Sequence, residues 1–151
     1  MERISDILRR KGEGVFTIEP SAPLTMALVQ MAETDVGSLV VVCQGKIVGL
    51  LTERDCARRA SLRRLDPDRT SVHEVMNRSV AFIAPDASVE DALRVMTEAR
   101  TRHLPVLDAQ GRLAGLVSIG DCVKSLIEAA VTPVRYLESV AVPGLSGPRG
   151  S

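Results

Sequence analysis

The segment Gly49-Leu50-Leu51-Thr52-Glu53-Arg54-Asp55 closes an aliphatic run and opens a polar one. Its order of glycine, two aliphatics, hydroxyl and aspartate returns at Gly115-Leu116-Val117-Ser118-Ile119-Gly120-Asp121. A chain that repeats a junction must repeat the elements on either side of it, so this pattern constrains the fold more than any other feature. A strand that passes into a helix through a hydroxyl residue leaves backbone N–H groups and a partial positive charge at the helix start, where an anion can dock. Two junctions predict two candidate sites.

Hydrophobic periodicity supplies the flanking elements. Ile4, Ile7 and Leu8 predict a short helix over 3–10 that ends near Lys11-Gly12, and Val15 to Ile18 predicts a short strand. Leu24, Ala27, Leu28, Met31 and Ala32 recur at helical spacing and predict an amphipathic helix ending near Asp35-Val36-Gly37. Ser38 to Cys43 and Lys46 to Leu51 form a hairpin around Gln44-Gly45. Thr52 then opens a helix over 53–65 carrying Arg54, Arg58, Arg59, Arg63 and Arg64.

The second half replays this order. Val72 to Met76 stands for the short helix, Val80 to Ile83 for the strand, Val89, Ala92, Leu93 and Met96 for the stripe, and His103 to Leu107 with Arg112 to Val117 for the hairpin. Pro105 has no N–H to give a ladder, so its strand should expose that side at an edge. Cys122, Val123, Leu126, Ile127 and Ala130 form the apolar face of the next helix. Thr132-Pro133 predicts a short extra helix with Val134, Leu137 and Val140, and the Gly, Ser and Pro content beyond Pro143 predicts a disordered tail.

Composition excludes several functions. Lys+Arg and Asp+Glu are 19 each and aromatics are 2%, which leaves neither the field nor the stacking surface for nucleic acid. No apolar run approaches a membrane span and Met1-Glu2-Arg3 leads into no signal-like region, so the expectation is a cytoplasmic protein without membrane contact. Cys43, Cys56 and Cys122 lack CxxC spacing and have only His73 and His103 as soft companions, which argues against a disulfide frame or a zinc site. No nucleophile with a paired base and no Walker-type loop is present, which argues against an enzyme.

A duplicated strand, helix, hairpin, helix unit with this junction resembles the CBS-domain pair, the family named after cystathionine β-synthase. The resemblance covers about residues 3–131. It rests on both junctions, on Ile18-Glu19-Pro20 and Ile83-Ala84-Pro85, and on Arg102-His103-Leu104-Pro105-Val106. It implies an α/β (α+β) fold of two tandem CBS repeats, each a small mixed sheet with flanking helices, packed about a pseudo-two-fold axis. The repeats would span 1–70 and 71–131, followed by the short helix over 132–142 and the tail over 143–151. It further implies a non-catalytic regulatory module holding adenine nucleotides between the repeats. Asp55 with Thr52, and Asp121 with Ser118, would meet ribose or phosphate. The adenine would lie against Thr17, Ile18, Leu39 and Val40 in one cleft and Phe82, Ile83, Leu104 and Pro105 in the other. The first repeat has Gly37-Ser38-Leu39-Val40 where the second has Arg102-His103-Leu104-Pro105, so phosphate contacts from Arg102 or His103 do not transfer to both halves.

Each candidate also has a purely structural reading. Thr52 with Asp55 and Ser118 with Asp121 satisfy a capping box, although aspartate reaches back less well than glutamate and capping alone does not require the glycine. The arginine-rich helix face is ordinarily solvated, but Arg54 and Arg58 lie one turn apart near a helix start and could both reach a phosphate. Position 120 is Gly opposite Arg54 and position 124 is Lys opposite Arg58, so a diphosphate ligand such as ATP or NAD should favour the first junction, with AMP at the second. Cys56 and Cys122 each follow a motif aspartate in a first helical turn; packing is the simpler role.

The sequence therefore predicts a stand-alone sensor of AMP, ATP or NAD, with no obligatory cofactor, that signals to an effector protein in trans. A homodimer should form through the Leu24 to Met31 and Val89 to Met96 faces, with the Val134 to Val140 helix beside them. The alternative is a constitutive oligomerisation scaffold with empty clefts.

Overall fold

The computed structural model describes residues 2–12, 14–128, 135–136 and 143–144. The chain runs α1 (Ile4–Lys11), β1 (Thr17–Ile18), α2 (Leu24–Thr34), β2 (Ser38–Cys43), β3 (Lys46–Thr52) and α3 (Glu53–Asp55), which continues as a π-helical turn over Cys56–Ser61. It continues through α4 (Val72–Val75), α5 (Val89–Ala99), β4 (His103–Leu107), β5 (Leu113–Ser118) and α6 (Ile119–Ile127). The expected helix over 132–142 and tail over 143–151 fall outside the described residues, apart from Arg135, Tyr136, Pro143 and Gly144.

The sheets follow from the hairpins. Gln44 and Gly45 have φ of 51° and 75°, the left-handed pair that matches strand twist in a two-residue turn between β2 and β3. The second turn is longer, and Asp108 accepts hydrogen bonds from the N–H groups of Gln110 and Arg112 to hold it. β1 lies parallel to β2 with Thr17 opposite Val40, giving the order β1-β2-β3. β4 and β5 form a two-stranded sheet, and Ile83 adds only a parallel bridge to Val106.

That difference corrects the expected strand over Val80–Ile83, and Pro105 is its cause. In the first sheet Val40 N–H donates to Phe16 O at 3.1 Å. Pro105 occupies the equivalent place on β4 and has no proton to give. Ile83 keeps its two bonds, to Pro105 O and from Leu107 N, and the ladder goes no further. That side of β4 is accordingly left open at Pro105, while the proline ring itself is buried.

Each repeat lends its opening helix to the other. Ile4 and Ile7 of α1 are packed with Ile83, Val89, Met96, Leu104 and Val117 of the second repeat. Val72, Val75 and Met76 are packed with Leu24, Met31, Leu39 and Leu51 of the first. Backbone bonds fix the exchange: Ile4 N donates to Ala87 O at 2.9 Å and Val72 N to Ala22 O at 2.9 Å. The stripes on α2 and α5 turn inward. Leu24, Ala27 and Met31, like Val89, Ala92 and Met96, belong to these two cores, so they are not the free faces expected for a homodimer.

The motif glycines are explained by the same exchange. A Cβ at Gly49 would stand 2.5 Å from Met76 Sδ and 3.0 Å from Asn77 O; at Gly115 it would stand 2.5 Å from Leu8 Cδ2. Each glycine makes room for the other repeat's helix, a packing demand independent of any ligand.

Candidate functional site

Both junctions form complete capping boxes, and aspartate reaches back without difficulty. Asp55 N–H donates to Thr52 Oγ1 at 3.1 Å and Thr52 N–H to Asp55 Oδ2 at 3.2 Å; the corresponding distances at Ser118 and Asp121 are 3.1 and 2.8 Å. The same box closes α5 through Ser88 and Asp91, away from either junction, so the box alone does not mark a ligand site. The free N–H groups expected at the helix starts are mostly used. Glu53 N–H donates to Gly37 O and Ile119 N–H to Arg102 O, leaving Arg54 N–H and Gly120 N–H as the unpartnered member of each first three among the described residues. Recognition of an anion here falls to side chains.

Two clefts open at the junctions, one on each, with matching walls. The first, about 390 Å³, is lined by Leu50, Thr52, Glu53, Arg54 and Asp55, by Asn77, Arg100, Thr101, Arg102 and His103, and by Gly37, Ser118 and Ile119, so it reaches the second junction as well. The second, about 240 Å³, is lined by Leu116 and Ser118, by Lys11, Gly14 and Phe16, and by Asp35, Val36, Gly37, Ser38 and His103. Asp35 and Arg100 occupy equivalent left-handed helix ends, with φ of 52° and 54°, one beside each cleft. The turn that carries an acid in one wall carries a guanidinium in the other.

The acids at the two junctions have different surroundings. Asp121 Oδ2 accepts a hydrogen bond from Lys11 Nζ at 2.8 Å, and the same ammonium donates to Leu116 O at 2.9 Å. Burial pushes the Asp121 carboxyl up, but the Lys11 and Ser118 hydrogen bonds outweigh it and hold the group below the ordinary value. Lys11 reaches this point because α1 has 8 residues where α4 has 4. In the first repeat the chain leaves α4 early, and Asn77 instead forms a backbone bridge with Leu50, bonded both ways at 2.9 Å. Among the described residues neither Asp55 nor Arg54, Arg100 or Arg102 takes part in an ion pair.

His103 borders both clefts. Burial lowers its pKa, and repulsion from Lys11 adds to this against the pull of Asp121. It is therefore a neutral imidazole near neutral pH, a hydrogen-bonding group rather than a fixed cation.

The structure brings Thr52, Arg54, Asp55, Arg102 and His103 together, and places Ser118 between the two clefts, bordering both, with Asp121 held on Lys11. Arg58 is exposed and borders neither cleft, while Lys124 shares a shallow groove with Lys11, Asp121 and Glu128. Ile18, Leu39 and Val40 lie in or against the first core, and Ile83 and Leu104 in the second, one layer behind the cleft walls. Thr17 is exposed on β1, and Phe82 and Pro105 face a separate groove with Val48 and Arg78. Cys56 and Cys122 are buried and pushed up to about 11, chiefly by desolvation, which makes them packing groups rather than nucleophiles.

The sequence reading missed Lys11, Phe16, Asn77 and Arg100. Arg100 had one available signal, its equivalence to Asp35 at a helix end. The other three reach the clefts only through the exchange of α1 and α4 and the loops that follow them.

This chain belongs to the CBS-domain family: the family model for the CBS domain matches residues 4–61 and again 72–128, making it a tandem pair. A solved CBS-domain protein from Burkholderia ambifaria superposes with a TM-score of 0.84 at 37% identity, over 89% of this chain and all (100%) of that one. The CBS domain-containing protein YhcV of Bacillus subtilis is 37% identical over 107 residues, 71% of this chain and 75% of YhcV. Hypoxic response protein 1 of Mycobacterium tuberculosis is 30% identical over 131 residues, 86% of this chain and 90% of that protein. Among the described residues no helix is long and apolar enough to cross a membrane.

Proposed function

We propose that this CBS pair is a non-catalytic regulatory module that binds adenine nucleotides and signals to an effector protein in trans. The observation that carries the reading is the first cleft, where Arg54, Arg100 and Arg102, in no ion pair among the described residues, stand with Glu53 around Thr52 and Asp55 over an apolar base at Leu50. Guanidinium groups bind phosphate oxygens bidentately, and an unpaired aspartate beside them suits ribose hydroxyls. ATP or NAD is the ligand of this cleft. The second cleft offers one ammonium already committed to Asp121, which suits the smaller charge of AMP.

Calorimetric titration of AMP and then NAD into the wild type, Arg54→Ala and Arg102→Ala tests this. Each variant should lose NAD affinity by about tenfold or more, the worth of one charge-assisted hydrogen bond, and keep its AMP affinity. Equal loss of both ligands, or of neither, would overturn the assignment. A scaffold with empty clefts would show no thermal stabilisation, whereas a ligand at a hundred times its Kd adds about 2.7 kcal/mol.

The module works as a homodimer in this proposal, through outward residues rather than the α2 and α5 stripes. Met26 and Val29 on α2 and Val123, Leu126 and Ile127 on α6 are large, apolar and exposed. The hexameric CBS-CP12 protein of bloom-forming cyanobacteria, 26% identical with a TM-score of 0.74, is an assembled relative. Light scattering at micromolar concentration should give twice the monomer mass, and Leu126→Glu should halve it; a monomeric wild type would sink the idea.

A further inference from the structure

Beside the first cleft, on the far side of Asn77, lies an open hollow of about 640 Å³ between the π-helical turn and α4. Arg59, Arg63, His73 and Arg78 line it over an apolar floor of Leu65 and Met76. Its one acid, Glu74, is taken by the Ser71 cap, accepting from Ser71 N–H at 2.7 Å. Two of the basic groups are held in place. Arg59 Nη1 donates to Val75 O at 3.2 Å and Met76 O at 3.0 Å, leaving the other guanidinium nitrogens available. Arg78 Nη2 lies 2.7 Å from His73 Nε2, a contact in which the arginine can only donate. Arg63 has no ion-pair or hydrogen-bond partner among the described residues.

The fold does not demand this charge. At the equivalent place in the second repeat, Ser125 stands where Arg59 does and bonds Glu2, while Arg10, in the position of Arg78, pairs with Glu2 and Glu128. Of two places equivalent by repeat, one is neutralised by acids and the other holds three guanidinium groups. A π-helical turn shifts side chains out of α-helical phase and recurs at functional sites; here it carries Arg59, and the turn that follows it carries Arg63, onto the hollow. A single carboxylate would engage one of these forks; several forks around one concavity suit a chain of linked phosphates.

We propose that the hollow lined by Arg59, Arg63, His73 and Arg78 is a binding site for an oligophosphate anion, separate from the nucleotide clefts. Inorganic tripolyphosphate and ATP are the two probes, because the phosphates could be free or the tail of a nucleotide reaching past Asn77. Calorimetry with the full chain would compare the wild type, the double variant Arg63→Ala/Arg78→Ala and the cleft variant Arg102→Ala. Arg63 and Arg78 are exposed, so the double variant should melt with the wild type, and unchanged melting shows that any loss is local. The expected result is saturable tripolyphosphate binding that falls at least about tenfold in the double variant and stays within about twofold in Arg102→Ala. A parallel fall for ATP, with AMP unchanged, assigns the phosphates to a nucleotide tail; tripolyphosphate loss alone assigns them to a free anion. The proposal is overturned if tripolyphosphate fails to saturate, if the double variant binds like the wild type, or if Arg102→Ala loses as much. None of these outcomes depends on adenine recognition in the clefts, since tripolyphosphate has no base.

Discussion

The two repeats share a topology and differ in how each treats its junction. The second holds its motif acid in an ion pair with Lys11, stands acid Asp35 at its cleft wall, and lets Pro105 cut its third strand to a single bridge. The first leaves Asp55 in no ion pair among the described residues, stands Arg100 and Arg102 at its wall, and keeps the third strand through Val40 N–H. The lesson is that a duplicated fold needs its caps, glycines and core in both copies, whereas charge at the mouths is free to diverge. Residues that are alike in both repeats therefore have a structural role whether or not they also meet a ligand. Ligand chemistry is better sought where the copies disagree.

The largest effect expected from testing this likeness is at the shared glycines. Gly49→Ala should destabilise by about 1–3 kcal/mol, the usual cost of overpacking, because its Cβ would meet Asn77 O as well as Met76. Gly115→Ala should cost less, since its nearest neighbours are methyl groups of the mobile Leu8 side chain. Leu8→Ala introduced into Gly115→Ala should recover part of the loss, read by urea denaturation. A greater cost at Gly115 than at Gly49 would break the argument that backbone, not side chain, is the obstacle.

Much of this organisation was legible in the sequence because it is periodic. The stripes of α2 and α5, the Gln44-Gly45 turn and the repeated junction each depend on residues near one another in the chain. The exchange of α1 and α4 was not legible, because it pairs Ile4 with Ala87 and Val72 with Ala22 across the repeat boundary. The role of the glycines was hidden for the same reason: that capping alone does not require them is visible in the sequence, but the Leu8 and Met76 side chains they make room for are not. Which residues of α2 face outward was likewise not legible, since a core stripe and an interface stripe have the same spacing: Leu24 and Met31 are buried, Met26 and Val29 exposed. Arg54 and Arg102 were found from position relative to the motif, while Arg100 required knowing where α5 ends. Lys11 required knowing that α1 runs a turn longer than α4.

A smaller effect should come from removing the difference between the sheets. Pro105→Val supplies the N–H that Val40 has, and a new bond to the segment before Ile83 would contribute about 0.5–1.5 kcal/mol. Losing proline loosens the unfolded chain and offsets about 0.4–1 kcal/mol of that. Net stability should therefore change by less than about 1 kcal/mol. Amide exchange is the sharper readout, with the residue 105 amide itself protected in the variant. A valine amide at 105 that exchanges freely would mean that the second sheet is short for a reason other than proline.

The smallest effect, and the most informative about the clefts, should come from Lys11→Met. The Lys11 and Asp121 side chains are partly exposed, so the pair is worth about 0.2–1 kcal/mol at neutral pH. Its pH dependence has a fixed sign. The Asp121 carboxyl is held below its ordinary value of 3.8 in the folded chain, so the stabilisation is present above that value and is lost as pH falls through the lower folded one. The melting difference between wild type and variant should thus be constant around pH 7 and shrink below about pH 4. Removing the ammonium also removes a repulsion on His103, whose pKa should move upward in an NMR titration. With Asp121 released, AMP should bind the second cleft more tightly than in the wild type, because the ligand no longer displaces an internal cation from the carboxylate. If AMP instead binds more weakly, Lys11 is a phosphate ligand, and the second cleft is a site built around that lysine rather than one partly closed by it.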